Sequence, residues 1–143
     1  MCDFLCVAIA ADVDPKPRLE RADLRAEECT GTPAGRAVMT VGKRQRAYFI
    51  THYHCSCDLF PTAEDLRRPS RRHRFLPLRD GVLALIRELV EEQHSVPLLR
   101  HLMCGNAWTE EVTPQRKVKL PVAELESVWG SLERDVRYVV VRD

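Results

Sequence analysis

The sequence predicts an α+β fold: a mixed, mostly antiparallel sheet of about five strands with about three helices. Three observations support this class. Short runs such as 4–11 and 46–54 are rich in the apolar, β-branched and aromatic residues that suit strands. Residues 79–94 place apolar side chains at helical spacing. Strands and helices alternate only in part, which does not suit a doubly wound sheet, and a length of 143 residues suits a single domain, 1–143.

The first half of the chain predicts three strands and one helix. The run FLCVAIAA forms strand 4–11, and the prolines that follow favour an extended turn. Residues 19–29 have helical composition with a weak apolar stripe, which predicts a surface helix. Segments 37–41 and 46–54 read as two strands around the turn GKRQ.

A short helix is predicted next, with Thr62 as its N-cap and Asp65 at the reciprocal capping position. Pro69 is expected to end it, and the basic stretch 67–74 is read as a loop. The clearest element follows, helix 79–94.

The remaining predictions concern the long helix and the last third of the chain, where strands alternate with one helix. Asp80 is the candidate cap of the long helix, whose apolar stripe should dominate the core. The remaining predicted elements, by composition and periodicity, are strand 96–104, a polar edge strand 109–120, helix 121–133 and a final strand 137–142.

Composition excludes several classes of function. The chain carries 22 basic and 21 acidic residues, so its formal charge of +1 gives no overall field toward nucleic acid or an acidic membrane. No stretch approaches the roughly 20 apolar residues of a membrane span. The apolar run near the start has no basic segment before it and no clear cleavage site after it, so it is read as a strand and not as a signal peptide.

The heptapeptide HYHCSCD, residues 52–58, concentrates ligand-type side chains. If strand 46–54 runs antiparallel to strand 4–11, the end of one meets the start of the other, and Cys2 then lies beside Cys55 and Cys57. Together with His54 these three cysteines form a candidate metal site. The chain is expected to carry no cofactor, and bound zinc is the alternative. The spacing matches no standard zinc motif, and buried thiols at a strand end explain the same residues.

The other cysteines sit among apolar or small neighbours. Cys6, Cys29 and Cys104 are therefore expected to be buried thiols that behave as small hydrophobic residues. His101, in an apolar strand, is expected to be a core histidine with a satisfied hydrogen bond. Six cysteines without an export signal indicate thiols in the reducing cytoplasm.

Candidate partner-binding residues lie in two places. Five arginines fall within eight residues and suit acidic or phosphate groups: Arg67, Arg68, Arg71, Arg72 and Arg74. No aromatic residues are interleaved with them, which does not favour single-stranded nucleic acid, and acidic residues of the long helix could balance their charge instead. Trp108, after a Gly-Asn turn, is a candidate anchor for a protein partner.

The segments MCDFLCVAIAADVD, RAYFITHYHCSCD and VPLLRHLMCG resemble a group of small uncharacterised bacterial proteins that begin Met-Cys and carry a C-x-C after an aromatic strand. The chain departs from that pattern at Asp58, where a glycine is expected. The resemblance implies no activity. None of the phosphate-loop, dinucleotide, zinc-protease or serine-hydrolase motifs is present, so a non-enzymatic function is favoured over an enzyme. Small bacterial cytosolic proteins without catalytic motifs are often immunity proteins, so the expected function is binding a protein partner such as a toxin domain.

Overall fold

One mostly antiparallel sheet organises the chain, which the computed structural model describes over all residues 1–143. Its six strands are, in chain order, β1 (Cys2–Ala10), β2 (Arg25–Glu28), β3 (Gln45–Thr51), β4 (Ser95–Met103), β5 (Arg116–Pro121) and β6 (Val136–Val141). In space their order is β2-β3-β1-β4-β6-β5, and only β5 and β6 run parallel. The α+β class with a mixed sheet is confirmed, with six strands where about five were expected.

Five helices accompany the sheet: α1 (Lys16–Glu20), α2 (Pro33–Val38), α3 (Ala63–Arg67), α4 (Pro69–Gln93) and α5 (Leu125–Val128). The segment expected as one helix from 121 to 133 contains only α5, flanked by short 3-10 turns. None of the helices combines the length and the apolar composition that crossing a bilayer requires.

Strand β1 lies near the centre of the sheet and is buried on both faces. Leu5, Val7 and Ile9 point to the larger apolar cluster, which α4 covers. Cys6 and Ala8 point to a smaller cluster on the opposite face, which contains residues of α2. This alternation follows from the period of two in a strand, and it gives β1 buried side chains on both faces of the sheet.

Two predicted elements have the wrong type. Segment 19–29 is not one helix, because α1 ends early, Asp23 takes a positive φ of 59° and β2 follows. Segment 37–41 is not a strand, because Thr32 caps α2 by accepting a hydrogen bond from Gly35 N–H at 3.0 Å. Local capping therefore overrides the β-propensity of the apolar residues in that segment.

The basic stretch 67–74 is helical, not a loop. Pro69 ends α3 but also begins α4, where a missing N–H costs no hydrogen bond. The long helix therefore starts ten residues before the expected 79, and Asp80 lies inside it instead of capping it. The capping box of Thr62 and Asp65 is confirmed, since each side chain accepts from the other residue's N–H.

Helix α4 has two halves that meet at Pro77. Residues 70–74 are exposed on all sides, whereas the following turns bury Leu78, Val82, Ile86 and their apolar neighbours against the sheet. Pro77 has no N–H to bond the carbonyl one turn earlier, so the helical ladder is interrupted where the two halves join.

The remaining strands are found close to their predicted positions. Strand β3 ends at Thr51 instead of 54, and β4 and β6 lie within one residue of the expected bounds. The polar strand expected at 109–120 is shorter, because only its second half pairs, as β5.

Candidate functional site

The start of β1 and the end of β3 lie side by side because these strands pair antiparallel, with Leu5 opposite Ile50. This is the orientation on which the sequence-based metal hypothesis depended, and it is confirmed. Beyond Thr51 the chain turns back at Tyr53, which has a φ of 59°, and His52 N–H donates to the Cys55 carbonyl at 2.9 Å. The C-x-C segment is thereby folded toward the first residues of the chain.

Ser56 fixes this segment against β1. Its N–H donates to the Asp3 carbonyl at 2.8 Å, and its hydroxyl accepts from Leu5 N–H at 2.8 Å and donates to the Ile50 carbonyl at 2.5 Å. Ser56 is fully buried, so these bonds satisfy backbone groups that water cannot reach. Cys55 and Cys57 flank this residue and are positioned by it.

Three thiols meet at this corner of the sheet. The Sγ atoms of Cys2, Cys55 and Cys57 all lie within 4.8 Å of one another, and we call them the trithiol cluster. Two sulfurs on one tetrahedral zinc lie about 3.8 Å apart, given Zn–S bonds of about 2.3 Å. Cys2 and Cys55 are half-buried and Cys57 is exposed, so the cluster has a supported side and a side open to solvent.

The protonation of the cluster follows from its burial. Desolvation raises the pKa of Cys55 to about 12, and the sulfurs of Cys57 and Cys2 add to the rise while the Cys57 backbone amide opposes it. Asp3 N–H donates to the Cys57 sulfur at 3.3 Å. Without a cation, therefore, Cys55 keeps its proton, and a bound cation must displace it.

An ion-pair network borders the cluster, with Asp3 buried and Arg134 exposed at its outer side. The Asp3 carboxylate accepts two hydrogen bonds from Arg100, both at 3.0 Å, and two from Arg134 at 2.9 and 3.1 Å. Burial alone would raise the pKa of Asp3, but the bonds from Arg134 and Arg100 outweigh it and hold that pKa below its ordinary value. The Arg100 guanidinium also lies 4.0 Å from the centre of the Phe60 ring. Two guanidinium groups on one carboxylate leave a net positive charge beside the trithiol cluster.

The histidines of the heptapeptide do not join the cluster. His54 is exposed in the turn, and its ring is not among the ligand atoms that meet there. His52 is buried and bonds the Asp58 carboxylate through Nδ1 at 2.7 Å, while its Nε2 lies 3.6 Å from Asp23. The sequence-based ligand set therefore comes together in its three cysteines and not in His54.

Ser56, Asp3, Arg100 and Arg134 were missed by sequence reasoning. One signal was available: Asp3 follows Cys2 at the start of an apolar strand, and a buried carboxylate needs a partner. Its partners come from positions 100 and 134, and nothing in their local sequence indicates which residue they reach.

Of the other thiols, Cys6 and Cys29 are buried as expected, with their sulfurs 3.5 Å apart, and we call them the dithiol pair. Cys104 is exposed, which corrects the expectation that it is buried. His101 is not a plain core histidine. Its two ring nitrogens bond the carboxylates of Asp135 and Glu110.

The candidate partner-binding residues lie on opposite faces of the sheet. Trp108 is exposed and its ring packs edge-on to Phe49, 5.6 Å between centres, on the face of the smaller apolar cluster. The arginines project from α3 and α4 on the other face. One surface therefore cannot include both.

The arginines are balanced differently from expectation. Glu88 and Glu92 pair with Arg18, and Glu91 pairs with Arg142, so none of them neutralises the basic stretch. Arg68 pairs with Glu64 at 2.7 Å and Arg71 with Asp65 at 3.1 Å. The remaining three, Arg67, Arg72 and Arg74, have no ion pair. Two of these line a shallow groove of about 420 Å³ between α3 and α4.

Comparisons of this chain with protein-family models, with curated proteins and with solved structures find no match.

Proposed function

We propose that this chain binds a soft metal ion through the trithiol cluster of Cys2, Cys55 and Cys57. The observation that carries the proposal is the approach of three Sγ atoms to within 4.8 Å of one another, from two segments that are 53 positions apart along the chain. Thiolates are the ligands that soft and borderline ions prefer. A site that works through free thiols requires a reducing compartment, which supports a location in the cytoplasm.

The surroundings suit this chemistry in two ways. Ser56 and the pairing of β1 with β3 hold the donors in place before any ion arrives, which limits the ordering that binding must bring about. The net positive charge of Asp3, Arg100 and Arg134 favours the negative charge that the sulfurs gain when they lose their protons.

A cadmium titration tests the proposal. We expect Cd(II) to bind with one ion per chain and to produce the ultraviolet thiolate-to-metal charge-transfer band. Cys57→Ser should weaken binding by at least about 100-fold, the upper end of the loss seen even when a residue outside the ligand shell is removed. Cys104→Ser is the matched control, because Cys104 is also exposed but lies outside the cluster.

Equal cadmium affinity in the Cys57→Ser and Cys104→Ser variants would refute the proposal. Elemental analysis of protein purified without added metal, including zinc, then shows which ion the cell supplies. Circular dichroism of each variant separates a lost ligand from a lost fold.

A second candidate, an immunity protein that binds a toxin domain, is favoured by the unpaired arginines of α3 and α4. Unpaired cationic groups on an exposed helix complement an acidic surface on a protein partner. Coexpression with the protein encoded by the neighbouring gene tests this. The double variant Arg67→Glu/Arg72→Glu should lose rescue from its toxicity, whereas Arg21→Glu, an exposed arginine without an ion pair, should keep it. Rescue that survives the double variant would exclude this surface.

A further inference from the structure

The trithiol cluster offers three protein donors and no fourth. The nearby carboxylate of Asp3 is fully engaged by two arginines, and that of Asp58 is engaged by His52. His54 is outside the cluster. A structural zinc site is closed by four protein ligands, so this cluster lacks the donor that such a site needs.

The ions that three thiolates can hold differ in the net charge of the complex that they form. Three thiolates carry a charge of −3, so a monovalent ion leaves −2, a divalent ion −1 and a trivalent ion none. Cys2 and Cys55 are half-buried, and burial penalises an uncompensated charge. The neutral complex needs no counter-charge, whereas the −1 of a divalent complex depends on the positive charge that Asp3, Arg100 and Arg134 leave beside it.

The number of ligands that the cluster provides also favours a trivalent ion. Trivalent arsenic forms three bonds to sulfur and keeps a lone pair in place of a fourth ligand. The open side of the cluster, at the exposed Cys57, leaves room for that lone pair. A trigonal set of thiols with one open side is therefore complete for arsenic, whereas zinc there would need water or another outside ligand in its fourth position.

Resting on the proposed function, we propose that the ion this site selects is trivalent arsenic, taken up from arsenous acid by Cys2, Cys55 and Cys57. Each thiol forms one As–S bond as one As–OH bond breaks. The three thiol protons leave with the three hydroxyl groups as water. Arsenic stays trivalent throughout, so no oxidant or reductant takes part.

The reaction predicts a proton balance that zinc or cadmium does not share. Arsenous acid condensing with three thiols releases no net protons, whereas a divalent ion displaces them into solution. Calorimetric titration in two buffers of different ionisation enthalpy measures this difference directly.

Titration with arsenous acid and, separately, with Zn(II) and Cd(II) tests the inference. We expect one arsenic per chain, the same heat in both buffers, and the loss of three readily titratable thiols from the folded protein, those of Cys2, Cys55 and Cys57. Intact mass spectrometry should show the mass of one arsenic less three hydrogens. Cys2→Ser should weaken binding by at least about 100-fold, as for loss of a ligand, and Cys104→Ser should not.

The possible outcomes distinguish a failure of this inference from a failure of the proposed function. If Cd(II) binds through the cluster but arsenous acid leaves all thiols titratable, or if Zn(II) binds more tightly, the inference is wrong and the function stands. If neither ion binds through the three cysteines, both are wrong. Arsenic held by Cys6 and Cys29 instead would be lost in Cys6→Ser and kept in Cys2→Ser, which also overturns it.

Discussion

The trithiol cluster and the dithiol pair bring sulfur atoms together in opposite surroundings. Both involve β1: Cys2 belongs to the cluster, and Cys6, four residues later, belongs to the pair. The pair lies among apolar residues and is almost fully buried, 1–2% exposed. The cluster lies at a strand end, bordered by the ion pairs of the buried Asp3 and open to solvent at Cys57.

The difference shows that close sulfurs do not by themselves make a site. Burial raises the pKa of Cys6 well above its ordinary value, and Cys29 adds to the rise. Formation of a thiolate is therefore disfavoured there, and a ligand has little access to the buried sulfurs. Gly35 lets α2 lie directly on the Cys29 backbone, since an added Cβ would be 2.1 Å from that carbonyl oxygen. The pair contributes packing, while the cluster has the donor number and the access that a ligand needs.

The largest difference should appear in thiol reactivity. Iodoacetamide should modify Cys57 and Cys104 readily in the folded protein, because both are exposed. Cys6 and Cys29 should react at least about 1000-fold more slowly, because access to them needs an unfolding that costs several kcal/mol. Mass spectrometry of peptides over time measures the rates, and denatured protein, in which all six should react alike, is the control. Rapid modification of Cys29 in the folded state would show that the two regions are not distinct.

Ser56→Ala should destabilise the fold and disturb the cluster together. The change leaves Leu5 N–H and the Ile50 carbonyl without a buried partner, which costs about 2–3 kcal/mol in the free energy of unfolding. Because Ser56 positions both flanking cysteines, cadmium affinity should fall by about 10-fold or more. Urea unfolding and the charge-transfer titration measure the two effects. Ser127→Ala, at an exposed serine that bonds a carbonyl within its own turn, should change neither.

Cys29→Ala should affect stability alone. Removing a buried sulfur leaves a small cavity in the apolar face and should cost about 1–2 kcal/mol in the free energy of unfolding. Cadmium affinity should stay at the value of the unmodified protein. A matching fall in affinity would show that the dithiol pair and the trithiol cluster are coupled through β1.

The smallest effect concerns His101. Its ring bonds Glu110, in the segment after β4, and Asp135, the residue before β6. Burial would lower the pKa of His101, but the hydrogen bonds that its ring donates to Asp135 and Glu110 outweigh it and raise that pKa above its ordinary value of 6.5. Its contribution is therefore complete below pH 6.5 and lost as the pH rises through the raised value. The bond from His101 lowers the pKa of Glu110 below 4.5, so that contribution is lost only as the pH falls through the lowered value.

Stability from this bridge should accordingly be greatest between about pH 4.5 and 6.5. His101→Gln should remove this pH dependence, with a loss of about 1 kcal/mol at pH 6. Thermal melting across pH 5–9 measures it. A wild-type curve that is unchanged by the substitution would show that the bridge contributes nothing.

Sequence patterns predicted the elements whose signal is long or repeated. Strand β1, strand β3 and the apolar half of α4 were found because several consecutive side chains carry their period. The prediction for segment 37–41 was wrong because its first two residues end α2, a helix whose N-cap, Thr32, lies outside the segment. Pro69 both ends α3 and begins α4, because proline also suits the first turn of a helix, so a proline alone does not predict that the chain leaves helical structure.

The trithiol cluster could be predicted because one topological assumption, antiparallel pairing of β1 with β3, brings it together. The network around it could not. Arg100 and Arg134 reach Asp3 across 97 and 131 positions of the chain, and many charged residues could have filled that role. Donors at the adjoining ends of two paired strands can be predicted from sequence, whereas long-range partners of a single buried charge cannot.

The proline within α4 separates two kinds of constraint on this chain. Downstream of Pro77, each turn carries side chains such as Val82 and Ile86 that fill the interior, so most substitutions there cost stability. Upstream, residues 70–74 are exposed to solvent, so most substitutions there cost little stability. As far as the fold is concerned, natural variation can therefore change the charges of the upstream turns, while the downstream turns must stay apolar on their buried face.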